Sequence, residues 1–328
     1  MSDIGLSVVG DVFKHLLIDK EWAVKLKRGF RWWPSPFSQK IWADEPFDND
    51  GFTICRIHVR SDVVAGFRDG DQRLGILGPM MAMATMSGFV RGRRDPSLLR
   101  LESTVYVHER TAQWLGRVIA LTAALQAAEA AILGEHLAPL IGEPAESEHP
   151  RSGRRTVYDD MANVIEGVIA PEGRRASDAA GEPMLVTATE LRRGGFNVNG
   201  DRTRLTAEFP VGAQTSLLQM LTQAPNPRLG NGLLSLLTLP RGAGGGDPGD
   251  PELVRSALEL NARELAQMNR CHFLGSWCVD NKGLLTFCHF APNTVLAFSP
   301  GWVHDVGTRA FARARWGGEQ FGLDADAE

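Results

Sequence analysis

The residue types most able to do chemistry are concentrated near the C-terminal end of the chain. Three thiols and two imidazoles lie within 19 residues, at Cys271, His272, Cys278, Cys288 and His289. Thiolates and imidazoles are the usual ligands of zinc. Their gaps lack the short paired spacing of common zinc sites. The residue types therefore make a metal site a candidate, but their spacing does not support it.

The elements predicted around these residues argue further against a metal site. The segments 273–279 and 284–290 read as a hairpin whose turn is centred on Asn281 and Lys282. That register would pair Cys278 with Leu285, and because strand side chains alternate, Cys278 and Cys288 would lie on opposite faces. We expect no metal ligands, and we interpret the cysteines as small buried hydrophobic residues.

Two further patterns could support catalysis or phosphate binding. Cys55 and His58 could form a nucleophile and its base, but a three-residue spacing in a strand points them to opposite faces. The segment 242–246 is rich in glycine but lacks the Lys-Ser/Thr ending of a phosphate-binding loop, so a flexible loop is the favoured interpretation. We predict no catalytic residues and no cofactor.

A dense aromatic cluster offers a candidate binding surface. Its rings are Phe30, Trp32, Trp33, Phe37 and Trp42, in a segment that two prolines interrupt. Trp32, Trp33, Phe37 and Trp42 could form an exposed patch that binds a partner. Alternatively, these rings fill the core between the first helix and the sheet, which is the favoured interpretation.

Composition limits the class of protein. The 328 residues exceed what one core usually supports, which predicts two domains. A net charge of −4 gives no reason to expect nucleic-acid binding. The longest apolar stretch, 118–133, carries Glu129 and reads as a buried helix, so we expect no membrane span. Four cysteines do not make a disulfide scaffold, and the predicted compartment is the cytoplasm of a bacterium.

The coarse pattern predicts an α+β protein. In the first half, apolar spacing predicts a helix over 8–28 and another over 111–140. Between them we expect strands at 39–45, 52–59, 88–93 and 98–107 and a short helix at 74–86. In the second half we expect strands at 204–210 and 233–239, the hairpin, and helices at 158–169, 252–269 and 302–316.

The two halves repeat one order of elements: helix, strands, helix, hairpin, helix. The polar stretch 143–156 between them is predicted to be a linker, giving a first domain over 1–142 and a second over 157–328. In each half a hairpin is followed by a helix that opens with tryptophan, at Trp114 and at Trp302. We interpret the second domain as a diverged copy of the first, each an antiparallel sheet packed by helices.

This order resembles the type III secretion chaperone-like fold and the related YbjN family. The residues that carry the resemblance are the helix 252–269 and the hairpin Phe273 to Phe287, with its Asp280-Asn281-Lys282-Gly283 turn. The resemblance implies a non-enzymatic scaffold, often dimeric, that binds segments of other proteins.

The leading functional prediction is therefore a protein-binding module, chaperone-like or regulatory, whose partner is another protein or peptide segment; a homodimer is an alternative. A second hypothesis is an enzyme with a site between the domains, assembled from residues such as Arg60, Asp62, Asp280 and His304. A third is a purely structural subunit of a larger assembly. A deep polar pocket would favour the enzyme, whereas an apolar groove or an open strand edge would favour the binding module.

Overall fold

A computed structural model describes residues 3–49, 51–169, 180–226, 229–243, 246–267, 271–299 and 301–323. The chain divides into two compact units. Unit 1 comprises Met1–Leu77, Met86–Pro171 and Asn261–Leu274, and unit 2 comprises Gly78–Thr85, Glu172–Leu260 and Gly275–Glu328. The class is α+β with antiparallel sheets, as the sequence predicts.

The first half of the chain contributes the following helices and strands: α1 (Ile4–His15), β1 (Ala23–Leu26), β2 (Gly29–Trp32), β3 (Gln39–Ala43), β4 (Phe47–Asn49), β5 (Phe52–Ala65), α2 (Asp71–Met81), β6 (Gly88–Arg91), β7 (Leu99–Val107), α3 (Ala112–His136), α4 (Ala138–Ile141), β8 (Glu143–Pro144) and α5 (Met161–Ile169).

The sheet of unit 1 runs in the order β1-β2-β3-β5-β7-β6, with every pair antiparallel. Helices α1 and α3 pack on one face. Ile41, Ile57 and Val59 point to that face and are buried, because alternate strand residues share a face. The opposite face carries the charged residues described below.

The second half contributes α6 (Gly181–Arg193), β9 (Asn197–Gly200), β10 (Arg204–Val211), β11 (Gln214–Asn226), β12 (Gly230–Thr238), α7 (Pro251–Ala266), β13 (Ser276–Val279), β14 (Leu285–Pro292), α8 (Asn293–Phe298) and α9 (Trp302–Glu319). Its sheet runs β9-β10-β11-β12-β14-β13. Helix α6 packs on α9, and both lie against this sheet. The order of strands is the same in the two units, whereas their origin by duplication stays a prediction.

The first predicted helix is too long. The helical pattern was expected to continue to residue 28, but α1 ends at His15 and 23–26 is a strand. Leu17, just beyond the helix, has φ 51°, the left-handed conformation that terminates helices. The strand pattern is present in the sequence, since Val24 and Leu26 alternate with lysines, but the preceding helical periodicity masked it.

Leu17→Gly is expected to stabilise the protein by about 0.5–1 kcal/mol, because a leucine in the left-handed conformation is strained and glycine is not. The Leu17 side chain is 72% exposed, so its removal should lose little packing. Urea denaturation measures the change. Leu6→Gly is the matched control, and inside α1 it should destabilise by up to about 1 kcal/mol. A loss of stability in Leu17→Gly would contradict the interpretation.

The hairpin β13–β14 corrects the predicted register. Cys278 pairs with Thr286 and Ser276 with Cys288, so Cys278 and Cys288 share one face. The prediction was wrong because the turn contains one more residue than assumed. Gly283 adopts φ 69°, and its N–H donates to Asp280 O. This extra left-handed residue shifts the pairing of β13 with β14 by one position. The shift brings Cys278 and Cys288 to the same face of the sheet.

The segment 143–156, predicted as a linker, packs within unit 1. Strand β8 pairs with the end of β5. The indole N–H of Trp33 donates to Ser147 O at 3.0 Å. His149 is buried, and its ring lies edge-on to the ring of Trp33. These contacts include hydrogen bonds of backbone and side-chain groups, so a polar stretch without apolar periodicity can still pack against the unit.

Helix α3 is a core helix. By length and composition alone it could cross a membrane, but 67% of its most apolar stretch is buried inside the protein. Its close packing depends on Gly134, where an added Cβ would lie 2.1 Å from Phe37 Cζ. This burial is typical of the central helix of a soluble protein, and it agrees with the buried helix predicted over 118–133.

Candidate functional site

Three of the four aromatic residues considered as partner contacts lie in the core. Trp32 and Trp33 are each 1% exposed and Phe37 is 2% exposed. The Trp32 indole N–H donates to Gln39 Oε1 at 2.9 Å. Buried rings present no surface to a partner, so the structure favours the core interpretation for all three. Trp42 is half-buried and lies on the opposite face of the sheet.

Trp42 belongs to a continuous set of polar and aromatic side chains on one sheet face of unit 1, which we call the polar face, and its members range from half-buried to buried. It is the sheet face opposite α1 and α3, and its members come from strands β2, β3, β5 and β7 or directly follow β3. They are Arg31, Lys40, Trp42, Asp44, Arg56, His58, Arg60, Asp62, Arg100, Glu102, Thr104 and Tyr106. The antiparallel register makes them neighbours, although they are up to 75 positions apart in the chain.

Asp44, His58 and Thr104 form a linear hydrogen-bond chain on the polar face. His58 Nε2 lies 2.9 Å from Asp44 Oδ2, and His58 Nδ1 lies 3.2 Å from Thr104 Oγ1. Arg56 Nε also donates to Asp44 Oδ2, at 2.7 Å. The imidazole ring of His58 stacks on Trp42 with 4.6 Å between centroids and 7° between planes. Both ring nitrogens of His58 thus have a defined partner.

The pKa values of this chain follow from burial and hydrogen bonding. Burial alone would raise the pKa of Asp44, but hydrogen bonds and charge from His58 and Arg56 outweigh it and hold that pKa well below its usual range. Burial lowers the pKa of His58, and Asp44 only partly opposes the effect. We assign a neutral imidazole that donates from Nε2 to Asp44 and accepts from the Thr104 hydroxyl at Nδ1.

An acid, an imidazole and a hydroxyl in this order also occur in nucleophilic catalysis. Here the residues Thr104 and His58 are 3% and 7% exposed. The Thr104 backbone N–H donates to Phe273 O, so β7 forms an additional antiparallel bridge with Phe273. A buried hydroxyl beneath a stacked ring does not reach a substrate, so this network joins β3, β5 and β7 rather than presenting a nucleophile.

The residues considered for an interface enzyme fall into separate local interactions. Arg60 Nη1 lies 3.9 Å from Glu102 Oε1, and Asp62 accepts from Arg100 Nε at 2.8 Å. In unit 2, Asp280 Oδ1 accepts the Lys282 and Leu284 N–H groups within its turn. His304 Nε2 lies 3.3 Å from Glu190 Oε2. These contacts join neighbouring strands of unit 1, close the Asp280 turn and link α6 to α9 in unit 2.

The cysteines are buried and free. Cys55 points to the helix face, where its Sγ donates to Asp44 O at 3.1 Å, and His58 points to the polar face, as the three-residue spacing predicts. Burial raises the pKa of Cys55 and of Cys288 to about 11. Across the part of the chain that the structure describes, no group of three or more His, Cys, Asp or Glu side chains could hold a metal ion.

A groove lies between α1 and the outer edge of the unit 1 sheet. Its volume is about 530 Å³. Val9 and Phe30 form a buried floor, and Phe13 packs edge-on against Phe30 with 5.0 Å between centroids. Leu6 lines the groove and is 42% exposed. The remaining lining residues come from α1 and from the segment that contains β1: Gly10, Lys20, Ala23, Val24, Lys25, Leu26, Lys27 and Gly29.

One wall of this groove is an open strand edge. Strand β1 pairs with β2 on one side, and no other described strand pairs with its outer side. Trp33 N–H donates to Trp22 O at 3.0 Å, so Trp22 and alternate residues after it direct their backbone groups at β2. The backbone N–H and C=O of Lys25 and the C=O of Ala23 therefore point away from the sheet, where an additional strand could bind them, whereas the Ala23 N–H already donates to Lys20 O.

The lysines of the chain are concentrated at this groove. The chain contains six lysines among 35 basic residues, and three of the six, Lys20, Lys25 and Lys27, line the groove. All three are exposed. Sequence reasoning missed this groove because it assigned residues 23–26 to a helix, which has no strand edge.

The chain is thus an α+β protein with two antiparallel sheets and an apolar groove beside an open edge of the first. No family model matches it, and neither does any curated protein or solved structure.

Proposed function

We propose that this chain is a non-enzymatic protein-binding module, chaperone-like or regulatory, that acts in the cytoplasm. The carrying observation is the apolar groove between α1 and the open edge of β1. Such a groove takes an extended segment of another protein. The segment adds a strand to the sheet through backbone hydrogen bonds, and its side chains fill the adjacent pocket.

The groove favours a segment in which apolar residues alternate with acidic ones. Leu6 and Phe13 offer an apolar surface for every second side chain of an added strand. Lys20, Lys25 and Lys27 surround this surface with positive charge. Acidic side chains on the segment would complement that charge and increase the rate of association.

The same lysines argue against a homodimer formed through this edge. If β1 paired with β1 of a second copy, Lys25 would lie close to lysines of that copy, and like charges opposite each other in a sheet are unfavourable. Lysine on exposed edges is a common protection against self-association. A different, acidic protein is therefore the better occupant.

Lys25→Pro is expected to abolish partner binding. Proline lacks the N–H that Lys25 directs outward, but this N–H takes no part in the β1–β2 pairing, so the sheet should persist. The measurement is affinity capture of the tagged protein from its native lysate, quantified by mass spectrometry. Lys25→Ala is the matched control, because it removes the same side chain and keeps the backbone donor.

The proposal predicts a stoichiometric partner protein that wild type and Lys25→Ala retain and Lys25→Pro loses. Circular dichroism should show the same fold in all three. A partner retained equally by Lys25→Pro would refute the strand-edge site. Light scattering of the purified protein tests the homodimer separately.

A further inference from the structure

The polar face juxtaposes three cations without an adequate counter-ion. Arg31 of β2 pairs with Lys40 of β3, and Lys40 pairs with Arg60 of β5. Directly opposed like charges destabilise a sheet. A row of three such residues across adjacent strands therefore opposes folding unless another group compensates for it.

The nearby carboxylates do not compensate fully. Glu102 is the next residue in the row, but its Oε1 is 3.9 Å from Arg60 Nη1, and one carboxylate faces three cations. Asp62 Oδ1 already accepts a hydrogen bond from Arg100 Nε at 2.8 Å, so its charge is shared with a further cation. Lys40 makes no ion pair with a described carboxylate. Burial, together with the charges of Arg60 and Arg31, lowers the pKa of Lys40, and the charge of Glu102 only partly opposes this effect.

Lys40 also differs from the other lysines of the chain. Lys14, Lys20, Lys25, Lys27 and Lys282 are all exposed, whereas Lys40 is half-buried. Partial burial of an unpaired ammonium is unfavourable, and surface lysines avoid it by extending into water. The Trp42 ring, whose centroid is 4.4 Å from Lys40 Nζ, offsets part of this cost but supplies no negative charge.

The charged groups of Lys40 and Arg60 converge beside one ring. Lys40 Nζ lies 4.4 Å from the centroid of Trp42, and Arg60 Cζ lies 5.2 Å from it. The ring is fixed, because His58 stacks on it. Arg31 is turned aside by its hydrogen bonds to Ser38 Oγ, so it adds positive potential without sharing this position.

We propose that Lys40 and Arg60, beside Trp42, form a binding site for a phosphate group on a small molecule. A phosphate carries up to two charges and several acceptor oxygens, which suits one ammonium and one guanidinium better than a single carboxylate does. The bound group would supply the negative charge that the row of cations lacks. This site is separate from the groove, and it does not depend on the function proposed above.

Isothermal titration calorimetry with sodium tripolyphosphate tests the site, at ionic strength held constant with sodium chloride. We expect saturable binding at one site per chain. Lys40→Met and Arg60→Gln should each raise Kd about 10-fold or more, because each removes one charge-assisted contact. Lys27→Met, an exposed lysine of the groove, should leave Kd unchanged. Lys40→Arg should retain most of the affinity.

Two results would overturn the proposal. One is tripolyphosphate binding that Lys40→Met, Arg60→Gln and Lys27→Met weaken equally or not at all, because such binding would be non-specific. The other is equal affinity for citrate, which would reject a phosphate preference.

The free protein gives an independent readout: Lys40→Met should raise the unfolding midpoint by about 1–3 °C by removing repulsion. A lower midpoint would instead assign Lys40 a structural role.

Discussion

Asp44→Ala is expected to lower the free energy of unfolding by about 2–4 kcal/mol at neutral pH. The carboxylate accepts hydrogen bonds from both Arg56 and His58, and the side chains of these two residues are only 17% and 9% exposed. Removing the carboxylate leaves Arg56 Nε and His58 Nε2 without an acceptor in a largely buried place, although Arg56 Nη1 keeps Leu265 O and His58 Nδ1 keeps Thr104. Breaking such a network costs more than its net contribution to stability. Urea denaturation at pH 7 measures the change.

Asp11→Ala is the control for this variant. Asp11 also pairs with a cation, Lys14, at 2.9 Å, but both side chains are more than half exposed. Exposed pairs contribute little, so the control should change stability by less than about 0.5 kcal/mol. Equal effects of the two substitutions would show that the network around His58 has no special importance.

The same network predicts how stability depends on pH. Asp44 and His58 have pKa values below their usual 3.8 and 6.5 in the folded protein. At these two groups the folded state therefore binds fewer protons than the unfolded state, so their contribution to stability rises with pH. The contribution of His58 is complete above pH 6.5 and is lost as the pH falls below it; that of Asp44 is lost below about pH 4. Asp44→Ala should remove the lower of these two phases.

Trp277→Ala is expected to cost about 3–5 kcal/mol, the usual range for a large aromatic residue deleted from a core. Trp277 is fully buried in unit 2 and lies edge-on to Phe287 with 5.5 Å between ring centroids. Trp316 lies 6.4 Å away on α9, so the indole joins the hairpin to that helix. Its removal leaves a cavity where the sheet and α9 meet.

Hydrogen exchange combined with urea denaturation measures this loss and localises it. Protection should decrease in β13, β14 and α9. Val186→Ala serves as the control, since Val186 of α6 is 50% exposed, and it should change stability by less than about 0.5 kcal/mol. Unchanged protection in these elements would contradict the central packing role of Trp277.

Local pattern predicted most elements of the fold. The strands β5, β6, β7, β10 and β12, the final hairpin and the helices α3, α7 and α9 all overlap the predicted segments, because alternation and helical periodicity are local properties. Strands β9 and β11 and helix α6 were missed. The failure that mattered most was β1, whose short alternating pattern directly follows helix α1 and was read as its continuation.

The candidate sites could not be predicted, because each depends on register. One residue in the turn at Gly283 decides whether Cys278 and Cys288 share a face. In unit 1, only the pairing of β3, β5 and β7 brings Asp44, His58 and Thr104 together. No local signal in the sequence specifies such long-range pairing.

By itself, then, the sequence determined the α+β class, the antiparallel hairpins and the favoured burial of most of the aromatic cluster, with Trp42 the exception, because each follows from local apolar patterning. Only the tertiary structure decided that β1 is an open edge beside an apolar groove, and that Arg31, Lys40 and Arg60 stand in one row. The physical reason is that a strand edge and a charge cluster are relations between strands, and those relations are fixed by the packing of the whole sheet.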